Sequence, residues 1–116
     1  MSKTLLCLAL VIHNEARGEP ELGKKAVAYT VINRAEQMNK PICNVVYQPA
    51  QYYTKPVKDK KSKAWKESKE VARKVLSKKV RDPTKGATHF HNSTVRPKWK
   101  LRKTQKVGKH TFYKKE

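Results

Sequence analysis

The stretch from Leu5 to Pro20 constrains this chain more than any other. Leu5, Leu8 and Ile12 recur at helical spacing, and the next position on the same face is Glu15. Gly18 and then Pro20 mark a helix that has just ended. A carboxylate therefore stands where the pattern asks for a core residue, in the last turn of a buried helix. Burial raises a carboxyl pKa, and a raised pKa is what a general acid needs near neutral pH. On periodicity alone the alternative is a Glu15 turned outward and paired with Arg17 or a lysine.

Punctuation gives the rest of the layout. A first helix is predicted over residues 3–17. Pro20 opens a second at the helix position that proline tolerates best, and it runs to about residue 37. Val27, Val31 and Arg34 form its inner face with Ala26 and Thr30 beside them, and Gly23 would let another backbone approach. Residues 39–61 read as irregular, broken by Pro41, Pro49 and Pro56. Residues 62–80 read as an amphipathic helix with Trp65, Val71 or Ala72, Val75 and Leu76 inward and lysines outward. Asp82-Pro83-Thr84-Lys85-Gly86 is a turn. Residues 87–92 and 106–113 are strand candidates expected to pair across a loop of residues 93–105. The fold class is a single small α+β domain over residues 1–116, mainly helical, with a short β-hairpin beside a groove that suits an extended polysaccharide.

Cys7 lies in the apolar helix and Cys43 just before Val45-Val46, with no His or Cys at zinc-like spacing. Two buried free thiols are expected, since free Cys behaves as a small hydrophobe. A disulfide requires the two elements to touch. The apolar run of residues 4–12 is too short for a membrane span, which takes ~20 residues. It lacks a small-residue cleavage site, and cleavage there would remove the helix that carries Glu15. The expectation is a core helix in a protein made in the bacterial cytoplasm without a signal peptide. Such a protein would reach the wall or periplasm only after release, as a bacteriophage lysin does.

A formal charge of +19 on 116 residues points to a polyanionic partner. Nucleic acid is one candidate, and the anionic polymers of a bacterial envelope are another. The first would make this a non-enzymatic basic binding protein. Such a protein should interleave exposed aromatics with its basic residues, or carry a recognition helix. The basic helix of residues 62–81 has only Trp65.

Four blocks in order carry a resemblance. The first is Asn14-Glu15-Ala16-Arg17-Gly18-Glu19-Pro20 with Gly23, Ala26-Val27-Ala28 and Val31-Ile32-Asn33-Arg34. The second is Cys43-Asn44-Val45-Val46-Tyr47-Gln48-Pro49 followed by Gln51-Tyr52. Asp82-Pro83-Thr84-Lys85-Gly86-Ala87-Thr88-His89-Phe90-His91-Asn92 with Pro97 and Trp99 makes the third, and Val107-Gly108-Lys109-His110-Thr111-Phe112-Tyr113 the fourth. Together they resemble the spore cortex-lytic (SleB-type) cell-wall hydrolases over nearly the whole chain. The resemblance implies a lysozyme-like or lytic-transglycosylase-like fold acting on peptidoglycan glycan strands. It also implies that Glu15 is the catalytic acid, cutting between N-acetylmuramic acid and N-acetylglucosamine. The family usually has an aromatic near Thr88 or His89, so His89 departs mildly from it.

Ordinary glycosidases use two carboxylates. Among nine acidic residues, Glu19 and Glu21 are expected to be exposed at the second helix start. Glu19 could be a second carboxylate, or could serve helix-start electrostatics. A single acid suffices if the substrate's N-acetyl group or 6-hydroxyl supplies the nucleophile. Candidate sugar contacts are Gln51, Tyr52, Phe90, His91, Asn92 and Trp99, and His110 reads as structural. His89 and His91 share a strand face, but without a third ligand no metal is expected, and no cofactor. The expected partners are peptidoglycan glycan strands and anionic envelope polymers. The outer lysines Lys66, Lys69 and Lys74 are the expected contact for the polymers. Nucleic acid is not required, stable membrane insertion is not expected, and the chain should be a monomer.

Overall fold

The first helix, α1 (Lys3–Ala16), is buried on nearly every side rather than along one stripe. Leu5, Cys7, Leu8, Ala9, Val11, Ile12, His13 and Ala16 are all buried. A helix that is apolar around most of its girth is a core helix, and α1 packs against three others: α2 (Glu21–Met38), α3 (Ile42–Val46) and α4 (Lys63–Leu76). The Ser2 side chain caps its start, accepting from the Leu5 N–H at 3.1 Å. The computed structural model describes residues 2–49, 51–78, 80–92 and 101–114. Among the described residues no helix is long and apolar enough to cross a membrane.

Pro20 stands at the start of α2 as its N-cap residue, and Asn39 ends it in the left-handed conformation (φ 51°), its N–H reaching back to the Ala35 and Glu36 carbonyls. Val27, Val31, Arg34, Ala26 and Thr30 are buried as expected. The segment read as irregular contains the one-turn helix α3. Its Cys43 is bonded to Cys7 of α1, with the Cα atoms 5.4 Å apart. The expectation of two buried free thiols is therefore corrected: α1 and α3 pack together, Cys7 is buried and Cys43 half-buried, and the contact brings the two sulfurs within bonding reach. Ser62 caps α4 by accepting from the Trp65 N–H at 3.1 Å, and Trp65, Val71, Ala72 and Val75 face inward. This helix stops at Leu76, earlier than expected. Lys78 turns left-handed (φ 59°), and its N–H bonds the Val75 carbonyl.

The sheet has three strands in the order β1 (His89–Asn92), β3 (His110–Lys114), β2 (Arg102–Val107), with both pairings antiparallel. The expected pairing of the two segments holds as β1 with β3, Phe90 opposite Phe112. The second segment is not one strand, however. It contains a two-residue turn, Gly108-Lys109, between Val107 and His110, and the extra strand β2 begins at Arg102. Gly108 holds φ at +58°, the conformation a tight hairpin needs at its first turn position.

The Asp82 carboxylate organises the approach to β1. It accepts from the Thr84 N–H (2.8 Å), the Thr84 hydroxyl (2.6 Å) and the Gly86 N–H (3.0 Å). Asn33 of α2 donates to both Asp82 and the Ala87 carbonyl, each at 2.9 Å. One α2 side chain thus sets where β1 begins.

Candidate active site

Glu15 lies in the last turn of α1, half-buried, and its Oε2 accepts the Tyr53 N–H at 3.2 Å. Burial pushes its carboxyl pKa up, and the Tyr53 N–H opposes that shift by stabilising the anion. Next to it in sequence, Asn14 donates from Nδ2 to the Leu10 carbonyl (2.9 Å) and the Lys55 carbonyl (3.0 Å). The strap of residues 53–56 is thereby tied to the end of α1 at two adjacent residues.

From the other side comes the hairpin. His110, buried on β3, reaches the Glu15 backbone carbonyl and lies 3.1 Å from Glu19, between Nδ1 and Oε1. That is ion-pair distance, without the alignment of a full hydrogen bond. Burial lowers the His110 pKa, while Glu19 and the Glu15 carbonyl act against this. Phe90 stands edge-on to His110 at 5.1 Å between ring centroids and contacts Phe112 at 5.9 Å and Tyr52 at 6.3 Å. This aromatic layer packs against His110, the sheet residue that reaches the Glu15 backbone.

Glu19 departs from the expectation of an exposed helix-start residue. Its side chain is 9% exposed and sits under the hairpin turn, with Oε1 accepting the Lys109 N–H at 2.9 Å. Two glycines make room for it. A Cβ on Gly108 would lie 2.5 Å from Glu19 Oε2, and one on Gly23 would lie 2.9 Å from Glu19 Cβ. The close approach at Gly23 is thus by a side chain rather than by a backbone. The Glu19 carboxylate is thus committed to the turn and to His110. Glu21 is exposed as expected, and pairs with Lys25 and Lys74.

Residues 18–113 match the cell wall hydrolase family. The chain belongs to that family. It is 32% identical over 114 residues to a spore cortex-lytic enzyme of Bacillus cereus, covering 92% of this chain and 42% of that protein. A spore cortex-lytic enzyme of Halalkalibacterium halodurans is 29% identical over 112 residues, covering 90% of this chain and 33% of the relative. The chain therefore spans less than half the length of these relatives. In three dimensions it resembles the catalytic domain of the germination-specific lytic transglycosylase SleB from Bacillus anthracis, with a TM-score of 0.77 and 26% identity, covering 98% of this chain and 97% of that one. Against the catalytic domain of the Bacillus cereus SleB protein the TM-score is 0.74, again at 26% identity, covering 97% and 91%. The α+β, mainly helical fold expected from the sequence is the fold of that domain. Glu15 lies just outside the residues matched to the family.

The remaining candidates divide. Gln51 is exposed, and its side-chain oxygen accepts from Arg34, whose guanidinium also lies 5.5 Å from the centre of the Tyr52 ring. Arg34 thus fastens to α2 the two residues that lead into the strap. Tyr52 is largely buried. Its hydroxyl lies towards Thr30 without an aligned partner among the described residues, and burial raises its pKa. His91 bonds the Tyr113 hydroxyl at 2.8 Å and stacks on its ring. Because residues alternate along β1, His91 is on the face opposite Phe90, away from the layer that meets His110. Asn92 pairs with His110 in the register. Trp99 lies outside the described residues.

Sequence reasoning passed over Tyr53, whose N–H holds Glu15 and whose ring is 66% exposed. Between Tyr52 and Tyr53 the sequence offers no periodicity to say which one faces solvent.

Proposed function

We propose that this chain cleaves the glycan strand of peptidoglycan between N-acetylmuramic acid and N-acetylglucosamine, with Glu15 as the single acid and base. One observation carries the reading: in a member of the cell wall hydrolase family, Glu15 is a half-buried carboxyl of raised pKa at a helix end, beside the exposed Tyr53 ring. Glu15 protonates the glycosidic oxygen as the bond from that oxygen to the anomeric carbon breaks. The 6-hydroxyl of the same sugar attacks that carbon and returns its proton to the Glu15 carboxylate. The products are a free hydroxyl on one chain and a 1,6-anhydro ring on the other, and no water is consumed. Commitment of Glu19 to the hairpin favours this one-carboxylate route over a two-carboxylate one. The name of the Bacillus anthracis neighbour, a lytic transglycosylase, agrees with it. Tyr53 supplies an apolar ring face for a sugar.

The Cys7–Cys43 bond suits action outside a reducing cytoplasm, which is where the wall lies. The test is mass spectrometry of fragments released from purified peptidoglycan. Anhydro-ended fragments are expected. Reducing ends would replace the 6-hydroxyl by water, and no release from intact protein would overturn the reading.

A further inference from the structure

A cavity of about 440 Å³ adjoins the end of α1, lined by His13 and Asn14 of the helix, by Arg17 just beyond it, by Lys55 of the strap, and by Lys58 and Asp59 that follow the strap. Its size is that of a small-ligand site. It is also electrostatically one-sided. Arg17, Lys55 and Lys58 face a single acid, Asp59, whose Oδ1 accepts the Lys61 N–H at 2.9 Å. Among the described residues none of the three cations is in an ion pair, whereas Lys24, Lys25, Lys63, Arg73 and Lys74 all are. One wall is buried and polar: His13 is 5% exposed, its Nε2 lies 3.4 Å from Arg17, and its Nδ1 makes no aligned hydrogen bond. Trp65 stands edge-on behind the imidazole at 5.7 Å.

The cavity is fixed to the reacting centre. Asn14 lines it and precedes Glu15 in sequence. The bond from Asn14 to the Lys55 carbonyl holds the cavity's rim to the same strap whose Tyr53 N–H holds the Glu15 carboxylate. A ligand here would therefore belong to the sugar being cut rather than to a distant part of the wall. In peptidoglycan the anionic group attached to that sugar is the peptide stem, which carries free carboxylates. We propose that this cavity is a subsite for the stem carboxylates, held by Arg17, Lys55 and Lys58. The assignment rests on the peptidoglycan reading above and adds to it a preference for glycan that bears acidic peptides.

Three substrates test it: glycan with intact stems, the same material with its carboxylates converted to amides, and stem-free glycan prepared with an amidase. The parent protein should cut the acidic form with a kcat/KM on the order of tenfold above the amidated form, as charge-assisted hydrogen bonds would give. The triple variant Arg17→Gln/Lys55→Gln/Lys58→Gln should lose that preference and keep the parent's rate on stem-free glycan, which also shows that it folds. A parent without preference between acidic and amidated stems overturns the subsite while the cleavage reading stands. An equal loss by the variant on all three substrates overturns it as well. A preference that follows removal of phosphate polymers from walls, not amidation of stems, makes the ligand a phosphate and overturns the stem assignment. A parent that cuts none of the substrates brings down both readings.

Discussion

At the residue scale, the surroundings of Glu15 set its proton affinity. The carboxyl is half-buried, and burial outweighs the one N–H that stabilises its anion. A general acid works only when protonated, and a raised pKa keeps the proton to higher pH. Activity on neutral glycan fragments should therefore be full on the acid side and decline as pH rises through an apparent pKa above the ordinary glutamate value of about 4.3. A limb at or below that value would describe a solvated carboxylate and remove the argument. Glu15→Gln keeps the shape, can still accept from Tyr53 N–H, and cannot deliver a proton. It should lower the rate by ~100-fold or more and leave the melting temperature equal or slightly higher, because the buried charge is gone. A variant with a tenth of the parental rate and unchanged melting would show that another group does the chemistry. The position of Glu15 was legible because helical spacing runs through Leu5, Leu8 and Ile12. The Tyr53 N–H that holds it was not, since a backbone donor in a strap has no residue type to betray it.

At the scale of elements, the junction of α1 and α2 is clamped to the hairpin by Glu19. The acid satisfies the Lys109 N–H and neighbours His110, which in turn reaches the Glu15 carbonyl. Glu19→Ala should remove the carboxylate beside the buried His110 Nδ1 and the acceptor of the Lys109 N–H, at about 1–3 kcal/mol. Gly108→Ala places a Cβ 2.5 Å from Glu19 Oε2 at φ +58°, which combines strain with collision and should cost at least about 1–2 kcal/mol. Thermal denaturation measures both. Because the two changes break one contact, the double variant should lose less than the sum. Strict additivity would mean that the clamp does not exist. Sequence reading reached the elements themselves but not this clamp. Gly108-Lys109 sits inside an otherwise strand-like run from Lys106 to Tyr113, so alternation hid the turn and with it strand β2. The end of α4 was hidden for a similar reason: Lys78 does the work usually given to glycine. Glu19 was misread because its helix-start position explained it locally, while its partners lie 90 residues away.

Over the whole molecule, covalent closure bears on stability, and we propose that charge serves targeting. The Cys7–Cys43 bond closes a separation of 36 residues, worth about 4 kcal/mol by loss of chain entropy in the unfolded state. Reduction, or replacement of both cysteines by alanine, should lower the melting temperature by roughly 10–20 °C. Two titratable thiols in the native protein would contradict the bond. The charge of +19 offers a way to stay on an anionic envelope, but the outer face of α4 is less free than its lysine count implies. Lys74 is bonded to Glu21 at 2.8 Å, Lys63 pairs with Glu67, and Lys69 lies over the Trp65 ring. Lys60, Lys61 and Lys66 are exposed and in no ion pair among the described residues, so they replace Lys69 and Lys74 as the better contacts. Exposed charges are screened over ~8 Å at physiological salt. Retention on whole walls should therefore fall steeply as salt rises, while turnover of neutral fragments changes little. Lys60→Gln/Lys61→Gln/Lys66→Gln should weaken retention at low salt and leave fragment cleavage at the parental rate. If the variant sediments with walls as the parent does across the titration, the charge serves solubility alone.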